Sequence, residues 1–238
     1  MNKKKVDLQK NKFASSRSSK QKWKKSKRTE SSKRWISRQL NDPYVSEAQK
    51  RGYRSRSAFK LLQINEKFNL FKSGMVIIDL GCAPGGWLQV ITDIINKNKK
   101  GQLIGIDLLD TDILPNVEIL KGDINDENIL SQINKILNGK KVNGVVSDMA
   151  ADTTGHRPTD HLRTTMLLES AIDIAKDFLD EDGFFLGKCF KGGAEASVLE
   201  TLNKSFKLVK HVKPDASRKE SVESYVLAMH YKIKTKKL

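Results

Sequence analysis

From about Trp35 onward the chain alternates two patterns: short apolar runs rich in β-branched residues, and longer stretches whose apolar positions recur at helical spacing. The first pattern predicts strands over residues 75–80, 103–108, 117–120, 144–148, 183–188, 207–212 and 224–231. The second predicts helices over 57–68, 87–96, 127–137, 161–179 and 194–205. Strands joined through helices run parallel, because the crossover returns the chain to the same end of the sheet. The last two strands are separated only by the loop 214–221, which predicts an antiparallel pair at the sheet edge. The expected fold class is α/β: a Rossmann-like, seven-stranded, mostly parallel sheet with helices on both faces.

Ahead of this pattern, residues 1–33 combine Lys, Arg, Ser, Asn and Gln with few apolar anchors. Such a segment buries too little surface to offset its ordering entropy, so it is expected to be a disordered basic arm preceding one domain at 34–238. Charge supports the division. The chain carries 44 Lys and Arg against 28 Asp and Glu, net +16, and residues 1–40 hold 15 of those cations against only Asp7 and Glu30. A polyanionic partner, nucleic acid above all, follows from that excess. Lys33, Arg34, Arg38, Arg54 and Arg56 are the expected RNA contacts at the junction and on the domain. Two cysteines, Cys82 and Cys189, are too few for a disulfide framework or a four-ligand zinc site, and the four histidines lack metal-ligand spacing, so no metal is expected. No apolar run reaches the length of a membrane span, and the start has no secretory h-region. A soluble, cytoplasmic, monomeric protein is expected.

The most informative stretch is Val76-Ile-Ile-Asp79-Leu-Gly81-Cys-Ala-Pro84-Gly85-Gly86-Trp87, an apolar strand running through a glycine-rich turn into a helix. Ligands bind at such strand ends in open α/β sheets. The spacing is neither G-x-G-x-x-G nor a P-loop, and no Lys follows Gly86 to reach a phosphate. It resembles instead the first motif of S-adenosylmethionine-dependent methyltransferases. In that reading Gly85 lets the backbone approach the amino-acid end of the cofactor, and the helix start at Trp87 offers free N–H groups to its carboxylate. Asp107 ends the second strand, where a carboxylate can accept from both ribose hydroxyls. Asp123 ends the third and can accept from the adenine amine; Asp148, at the end of the fourth, completes the expected cofactor contacts.

Further strand ends carry Val-Val-Ser-Asp148-Met-Ala, Phe-Leu-Gly-Lys188-Cys-Phe and Ser-Val-Glu223-Ser-Tyr225, and Lys60 lies upstream in Phe59-Lys60-Leu. With the glycine motif, these make residues 35–232 similar to the FtsJ/RlmE family of ribosomal RNA 2'-O-methyltransferases. The resemblance implies a methyltransferase fold and a catalytic tetrad of Lys60, Asp148, Lys188 and Glu223. It also implies methyl transfer from S-adenosylmethionine to the ribose 2'-hydroxyl of a uridine in large-subunit (23S) rRNA, at the A-loop of the 50S subunit. Lys188 is the expected contact of the hydroxyl. Lysine is almost wholly protonated at neutral pH. A second ammonium nearby favours its neutral form, whereas carboxylates favour the charged one, so a proton acceptor and an aligning donor both stay open. The chain departs from the family pattern after Asp148, reading Met149-Ala150-Ala151-Asp152 where the family has M-A-P-N.

Other chemistries fit less well. Amino-group methyltransferases carry [DN]-P-P-[YF], absent here, and cytosine C5 chemistry needs an exposed Pro-Cys nucleophile that neither cysteine supplies. A non-catalytic RNA-binding assembly factor built on the same fold is the alternative from a different class.

Overall fold

A computed structural model describes residues 40–151, 154–190, 195–218 and 221–233. The chain divides into two units, Met1–Ser46 and Glu47–Leu238, with the sheet and its flanking helices in the second.

The first helix, α1 (Pro43–Arg51), has no counterpart among the sequence expectations. Its start is nevertheless conventional: the Asp42 carboxylate accepts the Tyr44 N–H at 3.1 Å, and Pro43 occupies the first helical position, where its missing N–H costs nothing. Helix α2 (Ala58–Phe68) follows and ends on Asn69 in the left-handed region.

Among the described residues seven strands form one sheet: β1 (Val76–Leu80), β2 (Gln102–Asp107), β3 (Val117–Lys121), β4 (Val142–Ser147), β5 (Leu179–Phe190), β6 (Phe206–Val212) and β7 (Glu223–Tyr231). Their order is β3-β2-β1-β4-β5-β7-β6. β1 to β5 run parallel, and β7 lies antiparallel between β5 and β6. The expected antiparallel edge pair is present. Its second strand does not stop at the edge, however, but inserts beside β5 and brings its own start, Glu223, opposite Phe190 at the end of β5.

Helices cover both faces. Ile77, Leu103, Val146, Leu186 and Leu227 pack against α2 and α3 (Gly86–Ile95). Ile78, Leu80, Ile104, Val145 and Phe185 pack against α4 (Glu127–Leu137), α5 (Arg157–Phe178) and α6 (Glu195–Ser205). With both faces buried, the strands read as continuous apolar runs instead of alternating ones.

Two element starts differ from expectation by a full four residues. Helix α5 starts at Arg157, four residues early, because Asp160 gathers the Thr154 and Gly155 N–H groups and Pro158 suits a first turn. At its other end Leu179 opens β5: it pairs with Val142, the register then shifts, and Phe184 pairs with Gly144.

Candidate active site

Strand periodicity selects one face. Side chains two apart on a strand share a side, so Asp148 follows Val146, Lys188 follows Leu186, and Glu223 and Tyr225 precede Leu227, all toward the α2/α3 layer. Register brings them to one end, since Ser147 pairs with Gly187, Lys188 with Tyr225, and Phe190 with Glu223. Lys60, in the first turn of α2, reaches the same end from the covering layer.

The four groups meet as two crossed ion pairs. Lys188 Nζ lies 2.8 Å from Asp148 Oδ1 and donates to the Asp148 carbonyl at 2.7 Å. Lys60 Nζ lies 2.7 Å from Glu223 Oε1, which also accepts from Ser217 Oγ at 2.9 Å. Tyr225 joins them: its hydroxyl donates to Asp148 Oδ1, and its ring lies near Lys60 Nζ and packs on Trp87. Burial pushes the Asp148 carboxyl up, but the Lys188 and Lys60 charges, with hydrogen bonds from Lys188 and Tyr225, hold it below the ordinary carboxylate range. Burial and the neighbouring carboxylates push the Tyr225 phenol well above its usual value, so it stays a neutral donor. Sequence alone assigns Tyr225 no role. Its spacing of two from Glu223 was the available signal, because it puts both on one strand face.

Beside this cluster lies the glycine turn. Gly85 has φ +106°, and a Cβ there would stand 2.6 Å from Arg54 Nη1. Gly81 has φ +75°, and a Cβ there would stand 2.9 Å from the Met149 backbone. Both glycines have backbone conformations that disfavour a side chain, and at Gly81 the Met149 backbone leaves no room for one; the first N–H groups of α3, from Gly86 on, follow the turn. Asp107 Oδ2 accepts the Ala83 N–H and Oδ1 the Leu109 N–H, each at 2.8 Å. Each oxygen keeps a lone-pair site, enough for ribose hydroxyls. Asp123 is exposed, and its Oδ1 accepts from the Asn125 backbone and side chain, closing its own turn.

Three further site residues have side chains with protein partners. The Trp87 side chain is 2% exposed, with its indole N–H donating to the Ser57 carbonyl at 3.0 Å, so any cofactor contact falls to its backbone. Arg54 and Arg56, read as RNA contacts, both bind backbone carbonyls: Arg54 those of Pro84, Asp112 and Ile113, Arg56 that of Ala216. Lys33, Arg34, Arg38, the arm and Asp152 lie outside the described residues.

One group escaped sequence reasoning. Asp79, in the strand that leads into the glycine turn, is fully buried, and neither carboxylate oxygen has a hydrogen-bond partner. Burial, then the Asp148 and Asp107 charges, push its pKa well above the ordinary value. Burial and Asp79 together push the Cys82 thiol up to about 12, leaving it inert, as a small apolar residue in the turn should be.

Residues 53–231 match the FtsJ-like methyltransferase family. The chain belongs to that family. Among relatives of this FtsJ-like chain, one from Bartonella henselae is 50% identical over 210 residues, covering 88% of this chain and 85% of that one, and is named ribosomal RNA large subunit methyltransferase E. A protein of the same name from Brucella ovis is 50% identical over 204 residues, 85% of each chain. Among solved structures, a ribosomal RNA methyltransferase from Plasmodium falciparum superposes with a TM-score of 0.69 at 31% identity, covering 75% of this chain and 98% of that one. In this FtsJ-like chain Lys60, Asp148, Lys188 and Glu223, the tetrad expected from the resemblance, come together in one cluster from four separate parts of the chain.

Proposed function

We propose that the protein transfers a methyl group from S-adenosylmethionine to the ribose 2'-hydroxyl of a uridine in the A-loop of large-subunit (23S) ribosomal RNA. The observation that carries this reading is Lys188 Nζ, fixed at 2.8 Å from Asp148 Oδ1 beside the glycine turn. A cation so placed can meet a hydroxyl next to a bound cofactor. The names of the relatives supply the RNA, and nothing favours a non-catalytic platform on this fold.

The residues suit this cofactor. It is a cation bearing an amine, a carboxylate and a ribose; the buried, partnerless Asp79 suits a positive charge, the start of α3 suits a carboxylate, and Asp107 suits a diol. When bound, the cofactor supplies a methyl carbon whose bond to sulfur breaks as the ribose oxygen takes it. Lys188 orients the hydroxyl and lies where its proton departs. Asp148 and Tyr225 fix the direction of Lys188. Lys60 and Glu223 hold the outer wall of the cluster.

Residues 1–33 act as a basic tether to the 50S subunit, and 34–238 as the methyltransferase domain of a monomeric, cytoplasmic enzyme. No helix among the described residues is long and apolar enough to cross a membrane. The test is methyl transfer to large subunits lacking this modification, followed by mapping. A single 2'-O-methyl uridine is expected; methylation of a base, or none, overturns the proposal.

A further inference from the structure

Arg54 belongs to a basic cluster and reads from sequence as a phosphate contact. Its surroundings are different. Nη1 donates to the Asp112 carbonyl at 2.8 Å and the Pro84 carbonyl at 3.4 Å, and Nη2 to the Ile113 carbonyl at 3.0 Å. Those carbonyls come from two separate loops: the glycine turn after β1 and the loop after β2. Asp107 at the end of β2 and Gly85 in the turn are the two sides of the cofactor cleft. The arginine is itself fixed, since its backbone N–H donates to Gln89 Oε1 at 2.8 Å, and Gln89 Nε2 donates to the Gly52 carbonyl at 2.9 Å. Residues 52–54 are thereby clipped onto α3.

The loop after β2 needs such an anchor. Leu108, Leu109 and Ile113 are 66%, 68% and 89% exposed, so its middle has little apolar packing to set its position. A planar guanidinium can serve carbonyls on both loops at once, whereas an ammonium is a single compact donor group. The glycine at 85 completes the fit: with no Cβ there, the guanidinium lies directly over the turn.

We infer that Arg54 is a positioning residue that locks the loop after β2 to the glycine turn and so shapes the cofactor cleft. The inference rests on the cofactor reading above. It places Nη1 and Nη2 on loop carbonyls, so an RNA phosphate contact is the competing reading, which the salt slope of RNA binding separates.

The test compares wild type, Arg54→Lys and Arg54→Ala by calorimetry with S-adenosylhomocysteine. Salt-dependent binding of an A-loop hairpin RNA and amide exchange are measured alongside. Wild-type protein binds S-adenosylhomocysteine if the cofactor reading holds; its failure to bind removes that reading before any variant is compared. With wild-type binding in hand, both variants should bind about tenfold more weakly, the scale of losing charge-assisted hydrogen bonds. Amides of residues 108–114 should exchange faster while the strands keep their protection, and the salt slope of RNA binding should stay at the wild-type value. Three results would each overturn the inference. One is cofactor-product affinity within twofold of wild type in both variants. Another is faster exchange across the whole sheet, which reassigns Arg54 to general stability. The third is a salt slope reduced by about one phosphate in Arg54→Ala and retained in Arg54→Lys, which returns Arg54 to the RNA.

Discussion

Tyr225 donates its hydroxyl to Asp148 Oδ1 at 2.7 Å, the same oxygen that Lys188 Nζ approaches at 2.8 Å. One carboxylate oxygen thus ties together two adjacent residues on the β5–β7 ladder and the end of β4. Its opposed consequences are both useful. Asp148 is held below the usual carboxylate range and remains an anion, while Tyr225 is held above its usual range and remains a donor. Neither changes state near neutral pH, so the direction of Lys188 does not vary with small changes in pH.

Tyr225→Phe removes one donor from a buried carboxylate and should cost about 1.5–3 kcal/mol of stability at pH 7. The pH dependence has a definite sign. A carboxyl whose folded pKa is depressed stabilises the fold above its unfolded value, about 3.9, and loses that contribution as pH falls through the lower folded value. The difference between wild type and Tyr225→Phe should therefore be full at pH 7 and shrink below pH 4. Urea denaturation at the two pH values measures it, and a gap independent of pH would sever Tyr225 from the ionisation of Asp148.

Asp79→Asn should act in the opposite direction. Asp79 is raised by burial and by the Asp148 and Asp107 charges, so the native state is progressively destabilised as pH climbs above the ordinary carboxylate value toward the raised one. Asparagine cannot ionise. Without cofactor, the variant should be more stable than wild type at pH 7, on the order of 1–3 kcal/mol, and the advantage should vanish near pH 3. Melting temperature against pH reads both slopes. A destabilised variant at pH 7 would mean that the carboxylate has native partners worth more than its burial costs.

The seven strands and the end of the sheet where Asp148, Lys188 and Glu223 gather were legible in the sequence, because a doubly covered parallel sheet writes its strands as apolar runs ended by Asp or Lys. Helix α1 was missed although Asp42 and Pro43 are a capping residue and a first-turn proline; the helix has only nine residues, too few to show a period. The start of β5 was misjudged because Leu179 satisfies an apolar helical position and an apolar strand position equally. At the site, Lys60, Asp148, Lys188 and Glu223 could be named from local motifs, but their pairing could not. That Lys188 faces Asp148 and Lys60 faces Glu223 depends on strand register and on where α2 crosses, neither of which is local in the chain. The loop contacts of Arg54 were not legible for a related reason: charge is visible in a sequence, whereas a backbone carbonyl waiting for a donor is not.

Deletion of residues 1–33 should leave melting temperature and cofactor affinity unchanged and weaken ribosome binding in a salt-dependent way. Counterion release scales with the number of phosphates neutralised, at about 0.9 per phosphate on a duplex and about 0.7 on a single strand. The truncated protein should therefore show a shallower slope of log affinity against log salt. Parallel lines for the two proteins would mean that the arm does not touch nucleic acid.

Lys188 carries the sharpest prediction, because binding and catalysis separate there. Lys188→Ala removes the cation facing Asp148 but leaves Asp107, the glycine turn and the basic surface as they are. Affinity for cofactor and RNA should stay within a few-fold, while the single-turnover methylation rate falls by about 10²-fold or more, the scale of a positioned acid–base group. Lys188→Arg distinguishes the two remaining roles. Arginine keeps the charge and the donors toward Asp148 yet stays protonated at every accessible pH, so it can restore alignment and cannot restore proton acceptance. Partial recovery in Lys188→Arg with a flat pH–rate profile in both it and wild type assigns Lys188 to alignment. A wild-type rate that rises with pH and flattens in Lys188→Arg assigns it to proton acceptance. Near-wild-type turnover in Lys188→Ala would reject both roles and move the search to Lys60, the other ammonium of the cluster.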